Sequence, residues 1–201
     1  GRERGHCGVR TFRKRRFALT DGRLPSVRLP KDRQRQIYIL QEERIMRVGV
    51  YAGSFCPVTK GHVDAVEKAA RLVDKLFVVV GVNINKKYVI PDEVRLQLAK
   101  RALQHVKNAE VVAFDGMMTD FCKSVGATVM IKSIRNAMDL QSVIDLADTN
   151  ADYWTGDTVF VVGARQYRNI SSSLVRELAS LHQDFSAYVP ENCLEDIKKY
   201  L

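Results

Sequence analysis

Two hydrophobic rhythms alternate along the chain from residue 46 onward. Short, nearly continuous apolar runs are each followed by a stretch with apolar residues at helical spacing. Residues 47–52 read as a first strand, ended by Gly53. Residues 61–73 set Val63, Val66, Ala69, Ala70 and Val73 on one helix face. Residues 75–82 predict a second strand, nearly all apolar, as a sheet covered on both sides requires. Pro91 opens a helix that runs to about residue 106, with Asp92 and Glu93 at its positive end. A strand over 110–114 follows, then a helix over 117–125 closed by Gly126. A fourth strand covers 128–131, a helix 139–147, and a fifth strand 158–162. Helices over 171–181 and 191–200 complete the pattern. Strands alternating with helices imply right-handed crossovers: an α/β fold with a doubly wound parallel five-stranded sheet and a C-terminal helical extension. Ligands bind such sheets beyond the carboxyl ends of the strands, at the switch point. The loops after strands one, two, four and five are therefore where chemistry is expected.

Composition narrows the class. The chain has 201 residues, 46% hydrophobic and 27% charged, which excludes a disordered chain, a collagen-like chain and a disulfide miniprotein. Its apolar runs are of strand length and fall short of the roughly 18 residues of a membrane span. Cys7, Cys56, Cys122 and Cys193 lie far apart without a CxxC pair, which argues against a zinc site or a disulfide framework and fits a reducing compartment.

The net charge of +9 is concentrated at one end. Residues 1–45 hold 13 Lys+Arg against 5 Asp+Glu, and residues 46–201 hold 19 against 18. The first segment, with Arg13-Lys14-Arg15-Arg16, reads as a basic, disordered arm ahead of a domain spanning 46–201. It fits a tether to nucleic acid or another anionic surface, an Arg-rich transit peptide, or a translated leader that is not native protein. The leader is the expectation taken forward. Gln41-Glu42-Glu43 can be encoded by codons containing AGGAGG, a ribosome-binding sequence, shortly before Met46. A nucleic-acid role rests on this arm alone and falls if translation starts at Met46.

The loop after strand one reads Gly53-Ser54-Phe55-Cys56-Pro57-Val58-Thr59-Lys60-Gly61-His62. Gly53 permits a tight turn, and Gly61-His62 opens the next helix, whose free N–H groups make a phosphate cradle. The spacing is neither a P-loop nor GxGxxG. After strand five comes Asn169-Ile170-Ser171-Ser172-Ser173. Helix capping explains one serine; three favour a second phosphate site converging on the first.

These two segments, in this order, resemble the nucleotidyltransferase superfamily, and within it the phosphopantetheine adenylyltransferases. The likeness runs from Met46 to Leu201 and includes Asn85-Lys86-Lys87, Phe114-Asp115-Gly116 and Val189-Pro190-Glu191. It implies a Rossmann-like fold and attack by the phosphate of 4′-phosphopantetheine on the α-phosphorus of ATP, with Mg²⁺ and without a protein nucleophile. Carried over by position, His62 stabilises the transition state, and Ser54 and Phe55 line the ATP site, Ser54 also touching the acceptor. Lys86 holds the reacting phosphates, Met118 touches the pantetheine arm, and Lys132 lies near the acceptor phosphate. Ser133, Ile134 and Arg135 contact ATP, as does position 143. Tyr167, Arg168, Asn169, Ile170, Ser171, Ser172 and Ser173 cradle its β- and γ-phosphates and adenine. The catalytic set is His62, Lys86 and Arg135, and the resemblance implies a cytoplasmic homohexamer.

The chain also departs from the family pattern. Cys56 replaces Asp, Lys132 replaces Arg, Ser133 replaces Gly, Val143 replaces Glu, and Asn169 replaces an aromatic residue. These changes cluster on the acceptor side and on the wall between the substrates. They leave three readings: an adenylyltransferase with altered kinetics, a nucleotidyltransferase for another phosphate acceptor, and a non-catalytic nucleotide-binding paralogue.

Overall fold

The computed structural model describes residues 46–83 and 87–201. The arm expected over 1–45 and the site residue Lys86 lie outside the described residues. The strands are β1 (Val48–Gly53), β2 (Lys75–Gly81), β3 (Ala109–Phe114), β4 (Val129–Ile134) and β5 (Asp157–Val162). All pairings are parallel, in the order β3-β2-β1-β4-β5. The chain winds from β1 out to β3, returns, and winds the other way through β4 to β5. The switch point lies between β1 and β4.

Alternation along the strands divides the core into two layers. Tyr51, Leu76, Val78, Val80 and Ile131 meet the apolar faces of α1 (Lys60–Ala70), α2 (Asp92–Leu103) and α5 (Ser172–Ser180). Val48, Val50, Val79 and Met130 face the other way, onto α3 (Met118–Ser124) and onto Trp154, just past α4 (Ala137–Ala151). The doubly wound α/β sheet is thus the one expected from the pattern. Left-handed backbone at Gly126 (φ 64°) ends the α3 segment, where L side chains are disfavoured.

Several boundaries differ from the sequence reading: α1 ends at Ala70 rather than 73 and α2 at Leu103 rather than about 106, and three differences are larger or bear on the site. β4 continues past residue 131 to Ile134, because Lys132, Ser133 and Ile134 pair with Phe160, Val161 and Val162 of β5. Lys132 and Ser133 therefore stand on a strand rather than in the loop after it. α4 begins at Ala137, capped by the Asn136 side chain, and runs to Ala151. It is mostly exposed, so its apolar period is weak and its length was hard to read. The final helix is divided: a 3₁₀ turn over Glu191–Cys193 precedes α6 (Leu194–Lys198). The buried Cys193 thiol donates to Leu98 O at 3.4 Å there.

Candidate active site

The start of α1 is built around Thr59 and His62. Thr59 is the N-cap, with an extended backbone, and its Oγ1 accepts from the His62 N–H at 3.3 Å. In return the Thr59 N–H donates to His62 Nδ1 at 3.1 Å. This is a capping box with imidazole in the place of Glu or Gln. A backbone N–H can only donate, so Nδ1 is the unprotonated nitrogen and the neutral ring carries its proton on Nε2. Burial, helped by the Arg135 charge, lowers the pKa of His62 from 6.5 to about 4. The ring is thus a neutral Nε2–H donor at physiological pH, held from behind by Phe55 with ring centroids 4.8 Å apart. Phe55 is fully buried and adopts φ 48°, a left-handed backbone that costs energy for a bulky residue.

The opposite side of the switch point is the end of β4. Lys132 is half-buried, and its Nζ donates to Ala52 O at 3.4 Å. Burial lowers its pKa below the ordinary lysine value. Ser133 Oγ lies 3.1 Å from Tyr51 Oη, tying β4 to β1 across the cleft. Arg135 is clamped by Asp139 on α4, with Nε to Oδ2 at 2.8 Å and Nη2 to Oδ1 at 3.0 Å. The Arg135 N–H adds a third bond to Oδ2 at 2.9 Å. This bidentate pairing holds Asp139 below the usual carboxylate range and Arg135 above its usual value.

The third wall is the segment between β5 and α5. Asp64 on α1 accepts from the Ala164 N–H at 2.8 Å, and Lys68 bridges Asp64 (2.7 Å) to Val162 O (2.8 Å). Ser172 Oγ donates to Pro57 O at 2.7 Å, and Arg176 Nη1 donates to Cys56 O at 2.5 Å. The loop after β1 and the start of α5 are thereby stitched together. Ser171 caps α5 by accepting from the Leu174 N–H at 3.0 Å, and Ser173 Oγ accepts from Arg176 Nη2 at 3.2 Å. Each of the three serine hydroxyls therefore has a partner within the fold. Only Ser172 spends its proton, on Pro57 O; Ser171 and Ser173 accept in these bonds, so their O–H groups can still donate, beside the Ser172 and Ser173 N–H groups, which have no intrahelical acceptor.

Together these walls enclose a cleft of about 390 Å³. His62, Lys132, Ser133, Arg135, Val143, Tyr167, Ile170, Ser171 and Ser172, all expected at the site, line it. A second cavity, of about 530 Å³, lies on the β1–β2–β3 side and is lined by Ser54, Gly81, Val82, Asn83, Tyr88, Phe114, Asp115, Gly116 and Met118. Consecutive residues of one turn divide the two, with Gly53 lining the first and Ser54 the second. Several expected residues stand elsewhere. Phe55 is core rather than cleft lining, since its ring fills the space behind His62. Ile134 and Ser173 do not line the cleft. Arg168 turns its Nε back to Gly163 O at 3.2 Å. Asn169 faces an outer pocket with Ala164, Arg165 and Gln166.

Other functional positions were not singled out from the sequence. Thr59 and His62 have the spacing of a capping box, and Arg135 and Asp139 that of an i, i+4 ion pair. Both signals were available. Tyr51 and Asp64 carried no such signal, because their partners are distant in the chain.

A parallel sheet with helix starts converging on one switch point, a neutral imidazole donor and a fixed guanidinium defines a nucleotide-binding α/β domain. The Cytidylyltransferase-like family model matches residues 50–178. Phosphopantetheine adenylyltransferase of Clostridium perfringens is 39% identical over 155 residues, covering 77% of this chain and 94% of its own. The enzymes of that name from Streptococcus pneumoniae (39% over 159 residues, 76% and 95%) and Finegoldia magna (36% over 151, 75% and 93%) are similar to the same extent. Among solved structures, a candidate nicotinate-nucleotide adenylyltransferase from Vibrio parahaemolyticus shares the fold, with TM-score 0.51 and 14% identity over 76% of this chain and 99% of that one. The chain belongs to the cytidylyltransferase-like nucleotidyltransferases and, within them, to the phosphopantetheine adenylyltransferases.

Proposed function

We propose that the protein transfers the adenylyl group of ATP to 4′-phosphopantetheine, giving dephospho-coenzyme A and pyrophosphate. The observation that carries this reading is the pair of cavities meeting at the end of β1, with the neutral His62 donor in one of them. ATP occupies the cleft, its phosphates against the starts of α1 and α5. The acceptor enters from the second cavity, past Ser54 and Met118. An oxygen of the acceptor phosphate forms a bond to the α-phosphorus as the bond from that phosphorus to the bridging oxygen of pyrophosphate breaks. His62 donates Nε2–H to a non-bridging α-phosphoryl oxygen, where charge builds in the transition state. Arg135, held in orientation by Asp139, binds the nucleotide phosphates, and Lys132 neutralises the incoming acceptor phosphate. Lys86 belongs to the same set through the family pattern alone.

Magnesium is part of this reading. Among the described residues no group of three His, Cys, Asp or Glu is arranged to hold a metal, and the Asp139 carboxylate of the cleft is taken up by Arg135. That donor set suits a hydrated ion carried in on the nucleotide's own phosphates. Bound so, Mg²⁺ would neutralise phosphate charge. Among the described residues no helix is long and apolar enough to cross a membrane. Cytoplasmic placement and a homohexamer also belong to the reading. Exposed Met138 and Ile144 on α4 and Phe160 and Val162 on the edge strand β5 support self-association, which light scattering tests.

The deciding experiment is pyrophosphate release by the full chain with ATP, Mg²⁺ and 4′-phosphopantetheine. Turnover that depends on the acceptor is expected. ATP binding without turnover would move the assignment to another phosphate acceptor; the departures from the family pattern do not line the second cavity as expected, since Lys132, Ser133 and Val143 line the ATP cleft, Cys56 is buried and Asn169 faces an outer pocket.

A further inference from the structure

Arg95 is a charged residue at a position where the helix pattern calls for an apolar one. With Leu98, Ala99 and Ala102 it forms the i, i+3, i+4, i+7 stripe of α2 that faces the core. It is 0% exposed and heads the fully buried side chains by volume among the described residues. Burying a guanidinium is costly, and an apolar side chain of similar size fills such a space without that cost. The arginine is therefore doing something that packing alone does not require.

Its contacts say what. Nη1 donates to Ser54 O, just past the carboxyl end of β1, and to Gly81 O, at the end of β2, at 3.1 Å for the latter. Nη2 donates to Asp92 Oδ1 at 2.5 Å. The guanidinium stacks on the ring of Tyr88, with Cζ 4.0 Å from its centroid. Ser54, Gly81 and Tyr88 all line the second cavity, and none of them lines the nucleotide cleft. Nε, also buried, has no hydrogen-bond partner among the described residues. The side chain is thus placed for the two carbonyls, Asp92 and the ring, with the buried Nε–H left unpaired among the described residues.

We infer that Arg95 is a positioning residue for the acceptor: from beneath the second cavity its planar fork sets the separation of the β1 and β2 ends and the tilt of Tyr88, and so the shape that receives the acceptor. This rests on the reading that 4′-phosphopantetheine enters that cavity. A lysine at this position keeps the charge but cannot bridge two carbonyls and stack on a ring together. Arg95→Lys is expected to raise KM for 4′-phosphopantetheine by about tenfold or more, with KM for ATP within about twofold of the wild type. Tyr88 is half-buried, so Tyr88→Leu removes the stack while leaving the arginine's hydrogen bonds, and it gives the same selective rise. The two changes combined cost less than their product, because they break one shared arrangement.

The test is steady-state pyrophosphate release by wild type and the three variants, each substrate varied in turn, with circular dichroism to verify folding. A selective, non-additive rise in acceptor KM supports the inference. Unchanged acceptor KM in the folded variants, or both KM values rising together, overturns it while leaving the adenylyltransferase reading intact. If Arg95→Lys does not fold, Tyr88→Leu decides by the same criteria. A wild-type chain that neither binds nor adenylylates 4′-phosphopantetheine overturns the functional reading, and this inference with it.

Discussion

Replacing His62 with alanine separates binding from catalysis. The substitution removes the Nε2–H donor and one half of the capping box, whose bonds to Nδ1 are 3.1 Å from Thr59 N and 3.0 Å from Thr59 Oγ1. It also leaves Phe55 without its ring contact at 4.8 Å. Thr59 remains as the N-cap, so the loss is below the roughly 1 kcal/mol of a whole cap, and the fold should survive it. The catalytic loss is larger. A donor preorganised at developing phosphoryl charge contributes about 3–4 kcal/mol in the transition state, or roughly 10²–10³ in kcat. In the proposed reading ground-state ATP is held by the helix starts, Arg135 and the loop after β5, all of which remain in the variant. The variant should therefore bind ATP within a few-fold of wild type by calorimetry, while pyrophosphate release falls by about two to three orders of magnitude. A fall in ATP affinity that matches the fall in kcat/KM would refute the assignment, as would turnover that is nearly unchanged.

The pH profile tests the same residue from another side. With its pKa at about 4, His62 stays neutral well below the ordinary 6.5, so kcat/KM should show no loss from His62 on the acid side until pH approaches 4; an inflection near 6.5 assigned to His62 would contradict it. Folding stability follows the same sign: the unfolded histidine takes up its proton first, so the contribution is complete above 6.5 and is lost as pH falls toward 4, which thermal melts would follow. On the alkaline side, the Lys132 ammonium is lost at a pH below the ordinary 10.5, so acceptor KM should rise there. Lys132→Arg should remove that rise, because guanidinium does not titrate in the range, and persistence of the rise would clear Lys132 of responsibility. Asp139→Asn should raise KM for ATP by about three- to tenfold, since the bidentate clamp on Arg135 is charge-assisted; initial rates with ATP varied would check it. Ser133→Ala and Tyr51→Phe should each cost about 0.5–1.5 kcal/mol in urea unfolding and together hardly more than either alone, for they share one hydrogen bond.

Much of this protein was legible in the order of its residues. Hydrophobic period is a local property, so all five strands and the main helices could be read from it, as could the parallel winding that follows from their alternation. The loops carrying Ser54 to His62 and Ile170 to Ser173 were legible as helix starts for the same reason, because capping residues are written in contiguous sequence. Tertiary structure decided the rest. Whether Lys132 and Ser133 belong to a loop or a strand depends on pairing with β5, which no local pattern encodes. That the Ser172 hydroxyl spends its proton within the fold was not legible, because the Pro57 carbonyl that receives it is brought from 115 positions away. Phe55 moved from the site to the core because the turn around it folds inward behind His62. Arg95 could be seen as a charge on an apolar stripe, but its purpose required the ends of two strands and the Tyr88 ring to meet around it. Local chemistry thus determined which elements form and where phosphates are met. Contacts between distant segments determined which side chains face the cleft, which hold its walls, and which proton His62 keeps.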